Sequence, residues 1–257
     1  FTRHRQAQAL AARFGLRAAY LVPEGGSAEE TLRRVALGTG QWLPSLVSAG
    51  DTLGVAWGRT LYEVGQHMDR AACDGLTVVH LVGSVPSPYG FTAELCSAKL
   101  AEKLGAECIN IFAPAILSSP ALARALSAEP IIARQIAMVN ACNKAIFAAG
   151  TCEGDSHIVS SGVATSEDLA VYRSLGAEAV LCGRLIDGAG RPLDGPLEDR
   201  MIGIGTERLR QLDLGLLVTT GADRVGPMRA VMAGGYVTHL VTDAATARAL
   251  LATDGSD

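Results

Sequence analysis

Short apolar runs alternate with segments of helical periodicity along nearly the whole chain, and this alternation constrains the fold more than any single residue does. The clearest run lies in residues 76–82, where Thr77, Val78, Val79, His80 and Leu81 precede Gly83. β-Branched residues bounded by a turn former read as a buried strand. Residues 18–22 (closed by Pro23), 52–56, 107–112, 144–148, 179–182, 201–204, 214–219 and 238–242 read as further strands. Between them, residues 6–14, 28–47, 60–68, 91–104, 166–175, 225–232 and 244–251 carry helical spacing. In the longest of these, Leu32, Val35, Ala36, Leu43, Leu46 and Val47 share an apolar face. Residues 118–140 read as two helices broken at Pro130, and Ser166 is the expected N-cap of its helix. A long polar loop runs through Ser161.

Strands this short, joined by helices, build parallel βαβ units whose sheet is covered on both faces. The expected fold is therefore α/β, a Rossmann-like parallel sheet with helices on both faces. Residues 187–199, with Gly188, Gly190, Pro192, Gly195 and Pro196, are the most loop-like stretch and the place where a small subdomain would be inserted.

Composition bounds the rest. A chain of 257 residues with 49% hydrophobic and 19% charged residues can bury a core without disulfide or metal staples. Its formal net charge is −4 and its pI about 5.8, and no basic stripe follows Arg3, His4 and Arg5. Action on DNA would thus need a part outside this chain, and Phe1 in place of Met fits a cut from something longer. Six cysteines without CxxC spacing read as reduced thiols of a cytoplasmic protein. The sequence has no apolar run near 18 residues and no signal-peptide pattern, so no membrane partner is expected. The five histidines lack metal-ligand spacing; His80 and His239 fall on strands, where a packed, hydrogen-bonded ring is expected. Gly203-Ile204-Gly205 lacks the third glycine of a dinucleotide fingerprint, since position 208 is Arg. No Walker A loop, GxSxG elbow or HExxH pair is present, and no cofactor or metal is expected.

In open parallel sheets ligands sit at the carboxyl ends of strands. Three loops there are rich in glycine and hydroxyls. Gly54, Val55, Ala56, Trp57, Gly58, Arg59 and Thr60 lead from strand to helix, where amides at a helix start attract anions. A tight turn with Trp57 as core fits the same spacing. Gly83 and Ser84 open a loop stiffened by Pro86 and Pro88, either a shaped wall or a plain rigid connection. The third loop holds Thr219, Thr220, Gly221, Ala222, Asp223 and Arg224, with Arg224 suited to a phosphate or carboxylate or else a plain surface arginine.

Around these loops lie segments of a recognisable pattern. GVAWGRTL (54–61) is similar to GxSWGxTL, and GAEAVLCGRLIDGAG (176–190) to GAxGDICGRFFDxxG. SSGVATSEDL (160–169), MIGIGTERLR (201–210) and VMAGGYVTHLVTDAATARALL (231–251) follow in order, after an opening RFGLRAAYLVP (13–23). Together they resemble the sugar-binding domain of the SorC family of bacterial transcription regulators, also called DeoR-like. The resemblance implies a fold related to sugar-phosphate isomerases without their chemistry. It implies an N-terminal helix-turn-helix outside this chain, with residues 1–12 as the end of its linker and 13–257 as the effector-binding domain. It further implies a homodimer or homotetramer whose grip on operator DNA changes when a small phosphorylated sugar binds.

The expected effector contacts are Gly54, Ala56, Trp57, Gly58, Arg59, Thr60, Gly83, Ser84, Gly221 and Arg224, with the loop-adjacent carboxylates Glu94, Asp155 and Asp187. Those carboxylates are also where an isomerase-like enzyme would carry its base. The chain departs from the family pattern in its ligand loops. Arg224 replaces the lysine of a GGxxK loop, keeping the charge and losing imine chemistry. Ala56 replaces a hydroxyl residue, Val82-Gly83-Ser84 an NGG-like loop, Ala148-Ala149-Gly150 a GIG, and Ala179-Val180 a Gly-Asp pair. These changes leave room for an unphosphorylated ligand, or for an oligomerisation module with a degenerate pocket.

Overall fold

The computed structural model describes residues 2–88 and 90–252, and their strands build one large sheet. The strands are β1 (Ala18–Val22), β2 (Thr52–Val55), β3 (Thr77–His80), β4 (Glu107–Ile109), β5 (Lys144–Phe147), β8 (Leu214–Val218) and β9 (His239–Asp243). Their order is β1-β9-β8-β5-β2-β3-β4, and every neighbouring pair is parallel. From β2 the chain moves outward to β3 and β4, then returns through β5 to β8 and β9. The direction of winding therefore reverses between β2 and β5. That junction is the switch point of the sheet, where the loops diverge and leave a crevice.

Helices cover both faces, as the continuous apolar runs require. Alternation within β3 sends Val78 to one face and Val79 to the other. On the first face lie α2 (Ala28–Trp42), α3 (Arg59–His67) and α4 (Glu94–Leu104), burying Val35, Leu61, Val64 and Leu100 against Leu53, Val55 and Val78. On the second lie α1 (Thr2–Phe14), α5 (Pro120–Ser127), α6 (Pro130–Asn140), α10 (Val225–Ala233) and α11 (Ala244–Leu251). Leu10, Ile132, Val139, Met228, Val231 and Leu250 pack there on Val79, Phe147, Leu217 and Leu240, with Leu209 of the short α9 (Thr206–Leu209).

A third, smaller cluster forms the subdomain. It holds Ile158 of α7 (His157–Ser160), Leu169 and Tyr172 of α8 (Ser166–Ser174), and the hairpin of β6 (Ala177–Leu181) with β7 (Arg184–Asp187). The insertion thus begins well before the expected 187–199 stretch. β7 has no counterpart among the strands read from sequence. It exists because Cys182 and Gly183, with φ of 49° and 77°, turn the chain back after β6. Positive φ at both central residues is the geometry of a two-residue hairpin turn. The Tyr172 hydroxyl donates to Glu198 at 2.8 Å and accepts from the Leu197 amide at 3.1 Å. Arg184, beside Glu198, reaches the carbonyls of Gly203 and Ile204 and ties the hairpin to that segment.

Several local expectations change. Residues 201–204 do not join the sheet; they cross strand ends through isolated antiparallel bridges, Met201 to Ile116 and Gly203 to Val82. The crossing is close: a Cβ on Gly203 would lie 2.8 Å from Val82 Cγ1. The N-cap of α8 is Thr165, not Ser166, since only Thr165 stands three residues before an acid and completes a capping box with Asp168. Pro44 ends α2 at Trp42, and the remainder of that expected helix is a 3₁₀ turn. Position 12 falls inside α1, whose Leu10 is fully buried. His239 meets Thr238 Oγ1 at 2.8 Å and packs on Trp42, as a strand histidine should. His80 is buried too, but neither ring nitrogen has a hydrogen-bond partner among the described residues. All six cysteines are free. Among the described residues no helix is long and apolar enough to cross a membrane, and no group of His, Cys, Asp or Glu is arranged to hold a metal ion.

Candidate functional site

The crevice between β2 and β5 contains a cavity of about 120 Å³. After β2 the chain turns through Ala56, Trp57 and Gly58 before α3 begins at Arg59. Gly58 has φ +135°, which a residue with a side chain rarely adopts, so glycine is required there by the backbone. It caps α3 through its backbone alone: its carbonyl accepts the Tyr62 amide at 3.0 Å, and no side chain fills the helix start. A helix start without a side-chain cap gives the cavity a positive end.

The second wall follows β5. Ala148, Ala149, Gly150 and Thr151 line it, with Gly150 paired in both directions to Val180 of β6. A Cβ at Gly150 would stand 3.1 Å from the Val180 Cβ, so glycine allows the hairpin to close on the sheet. The hairpin tip, Cys182 and Gly183, completes this side; a Cβ on Gly183 would lie 3.2 Å from the Trp57 ring. Cys182 is buried, and burial pushes its thiol far above the usual range, so it is inert. Ser156 and His157 roof the cavity. The Ser156 hydroxyl donates to the Thr151 carbonyl at 2.6 Å. Burial, then the Arg224 charge, lowers the His157 pKa, so its ring is neutral at pH 7. The Trp57 Nε1 is buried and has no hydrogen-bond partner among the described residues. An unmet buried donor costs free energy until an acceptor reaches it.

The third wall follows β8. Gly221, with φ +117°, starts a 3₁₀ turn that delivers Arg224 to the cavity. The Thr219 hydroxyl accepts the Ala149 amide at 3.0 Å, and Arg224 Nη1 donates to the Ala149 carbonyl at 3.1 Å. These bonds lock the ends of β5 and β8 together. Arg224 also lies 3.3 Å from Asp223, and Arg59 reaches Glu29 of α2 at 2.5 Å.

The structure therefore gathers Ala56, Trp57, Gly58, Arg59, Thr60 and Arg224 around the cavity, with Gly221 at its approach. The remaining expected contacts lie elsewhere. Gly54 is inside β2, where a Cβ would meet Leu81 Cδ2 at 2.2 Å; its glycine serves packing. The Gly83 amide donates to the Ile202 carbonyl and Ser84 pairs with the 113–115 segment, both outside the cavity lining. Glu94 opens α4, near the buried His80. Asp155 lies in the bend before α7 and does not line the cavity. Asp187 ends β7, where Arg191 holds it at 2.8 Å and the Ala189 and Arg191 amides bind it. Sequence reasoning missed Thr151, Ser156, His157, Cys182 and Gly183. The glycine and hydroxyls of 150–156 were the available signal; the hairpin tip had none, because only the folded subdomain brings it to the sheet.

With this geometry in place, the relatives of the chain can be compared. The family model "Putative sugar-binding domain" matches residues 2–252. The uncharacterized transcriptional regulator YjhU of Escherichia coli is 34% identical over 246 residues, covering 93% of this chain and 75% of its own. The deoxyribonucleoside regulator of Bacillus subtilis is 27% identical, covering 82% and 67%. The full-length sorbitol operon regulator SorC of Klebsiella pneumoniae superposes with a TM-score of 0.87 at 21% identity, over 96% of this chain and 80% of that one. A DeoR family regulator from Listeria monocytogenes gives 0.88 at 19%, over 97% of this chain and 100% of that one. These two structural matches speak for the fold; the family model and the YjhU match speak for kinship. The chain belongs to the sugar-binding domain family found in bacterial transcriptional regulators.

Proposed function

We propose that this domain binds a small phosphorylated sugar in the switch-point cavity, and that occupancy sets how firmly a full-length regulator grips its operator. The observation that carries this reading is the convergence of Arg59, Arg224 and the start of α3, which no side chain caps, on one cavity between β2 and β5. Two guanidiniums and a helix start form an anion site. The sugar's phosphate enters there, near the Trp57 indole and the neutral His157 ring.

The ligand is sensed and left unchanged. Glu94, Asp155 and Asp187, the carboxylates that an isomerase would use as base, are absent from the cavity lining. The relatives named above are called regulators, which supports the same reading. A route to the rest of a regulator exists through α11. The Gly221 amide donates to Thr246 in the first turn of α11 at 3.0 Å. At the other end, Arg13 of α1 donates to the Leu251 carbonyl at 2.7 Å. A ligand that prefers one position of the 220–224 loop thus biases α1, the helix toward a preceding DNA-binding module. The full protein in this reading is a cytoplasmic homodimer or homotetramer with an N-terminal helix-turn-helix.

A thermal-shift screen of the domain against paired sugars and sugar phosphates tests the reading. A ligand at a hundred times its Kd adds about 2.7 kcal/mol, or roughly 5–10 °C in Tm for a domain of this size. Stabilisation by phosphorylated members alone is the expected result, and stabilisation by neutral sugars alone would refute the phosphate. Ala56, Ala148 and Val180 line the cavity with apolar surface and favour a second reading, a degenerate pocket in an oligomerisation module. No shift with any member of the panel would select it.

A further inference from the structure

A larger hollow adjoins the cavity, and the two differ in charge. The inner one, about 120 Å³, has Arg59 and Arg224 in its wall and no carboxylate. That volume falls below the roughly 150 Å³ that accepts a benzene ring. An anionic head with a carbon or two fills it, so a sugar phosphate seated there extends beyond it. The outer hollow, about 570 Å³, shares Arg59, Thr60 and Arg224 with the inner one, so these residues stand at the boundary between them.

Beyond that boundary the outer wall carries Glu24, Glu29, Asp223 and Asp243. Glu29 pairs with Arg59, Asp223 with Arg224, and Glu24 with Arg248 at 3.0 Å. Burial alone would raise the Asp243 pKa. The Thr220 and Thr246 hydroxyls, with the Ala245 and Thr246 amides, outweigh it and keep the group anionic. Four carboxylates thus face two guanidiniums, and a negative surplus remains when Arg248 is counted.

Among the described residues three helix starts border the hollow: that of α3, shared with the inner cavity through Arg59 and Thr60, and those of α2 and α11, which have their own side-chain caps. Ser27 accepts the Glu30 amide, Glu30 the Gly26 amide and Thr31 the Gly25 amide. Asp243 caps α11. Away from the shared Arg59, Thr60 and Arg224, an anion in the outer hollow would meet carboxylates and helix starts that already carry caps, whereas a hydroxyl or ammonium would meet acceptor oxygens.

We propose that the effector has one anionic end only, seated in the inner cavity, and a donor-rich, non-anionic far end in the outer hollow. Sugars phosphorylated at both ends are thereby rejected. This assignment rests on the sugar-effector reading above and refines it.

Isothermal titration of the domain with matched probes tests it: ribose 5-phosphate against ribulose 1,5-bisphosphate, and fructose 6-phosphate against fructose 1,6-bisphosphate. Glucosamine 6-phosphate beside glucose 6-phosphate separates an ammonium from a hydroxyl at the far end. The expected result is at least tenfold weaker binding of each bisphosphate than of its monophosphate partner. The pair of changes Glu29→Gln and Asp223→Asn, at side chains 60% and 71% exposed, should narrow that ratio about tenfold without unfolding the domain. Bisphosphates that bind as tightly as their partners overturn the assignment and leave the sugar-effector reading standing. If no probe of either kind binds, the phosphorylated-sugar reading falls and the assignment falls with it.

Discussion

Replacing Arg224 by Ala should weaken a phosphorylated effector by about tenfold. The Arg224 side chain is 37% exposed, lies 3.3 Å from Asp223, and donates to the Ala149 carbonyl at 3.1 Å. A buried charge-assisted hydrogen bond contributes about 1.5–3 kcal/mol, and an exposed ion pair about 0–1. A guanidinium two-thirds covered, with a carboxylate already beside it, falls between, at about 1.5 kcal/mol. That corresponds to roughly tenfold in Kd. Arg224→Lys keeps the charge and loses the fork, so its loss should be smaller. Removing the side chain also strips a partner from the Ala149 carbonyl at the β5–β8 junction, a cost of about 1 kcal/mol or roughly 2–4 °C in Tm. Calorimetry of both variants, with any sugar phosphate that stabilises the unaltered domain, gives the comparison. A Kd within twofold of the original would remove Arg224 from the site and refute the reasoning.

Two further outcomes follow from buried groups. Trp57→Phe deletes the unpartnered indole N–H, so the unliganded domain should change by less than about 1 kcal/mol while effector affinity falls severalfold; large destabilisation with unchanged affinity would make Trp57 a packing residue alone. Burial lowers the His80 pKa to about 4 from 6.5, opposed only in part by Glu94. The unfolded chain therefore takes the proton first as pH falls below 6.5, and the folded state should lose roughly 2.5 kcal/mol by pH 4.5. Urea unfolding of the original and of His80→Leu at pH 7 and 4.5 checks this, and an identical acid loss in both would refute it.

The sequence by itself determined the layered architecture. Continuous apolar strands such as 214–218 can be satisfied only by burial on both faces, and the helices between them fix parallel crossovers. It also located the loop at 56–60 and Arg224, because a strand-to-helix turn with glycine and arginine has a local signature. What tertiary structure decided is which strand ends meet. The place of β5 beside β2 is a non-local pairing, and it alone makes a switch point of that junction. Gly54 shows the limit from the other side: within its segment it looks like a ligand-loop glycine, but Leu81, 27 positions along the chain, claims the space above it. The hairpin tip at Cys182 and Gly183 is held at the cavity by the Gly150–Val180 bridge, a contact between residues 30 apart in the chain. The charge contrast between the two hollows has the same origin. Glu24, Glu29, Asp223 and Asp243 are scattered in sequence, and the parallel register of β1 with β9 and of β9 with β8 sets them around one space. Periodicity and turn chemistry are short-range and can be read along the chain, whereas a site assembled from strand ends depends on pairings that no local pattern encodes.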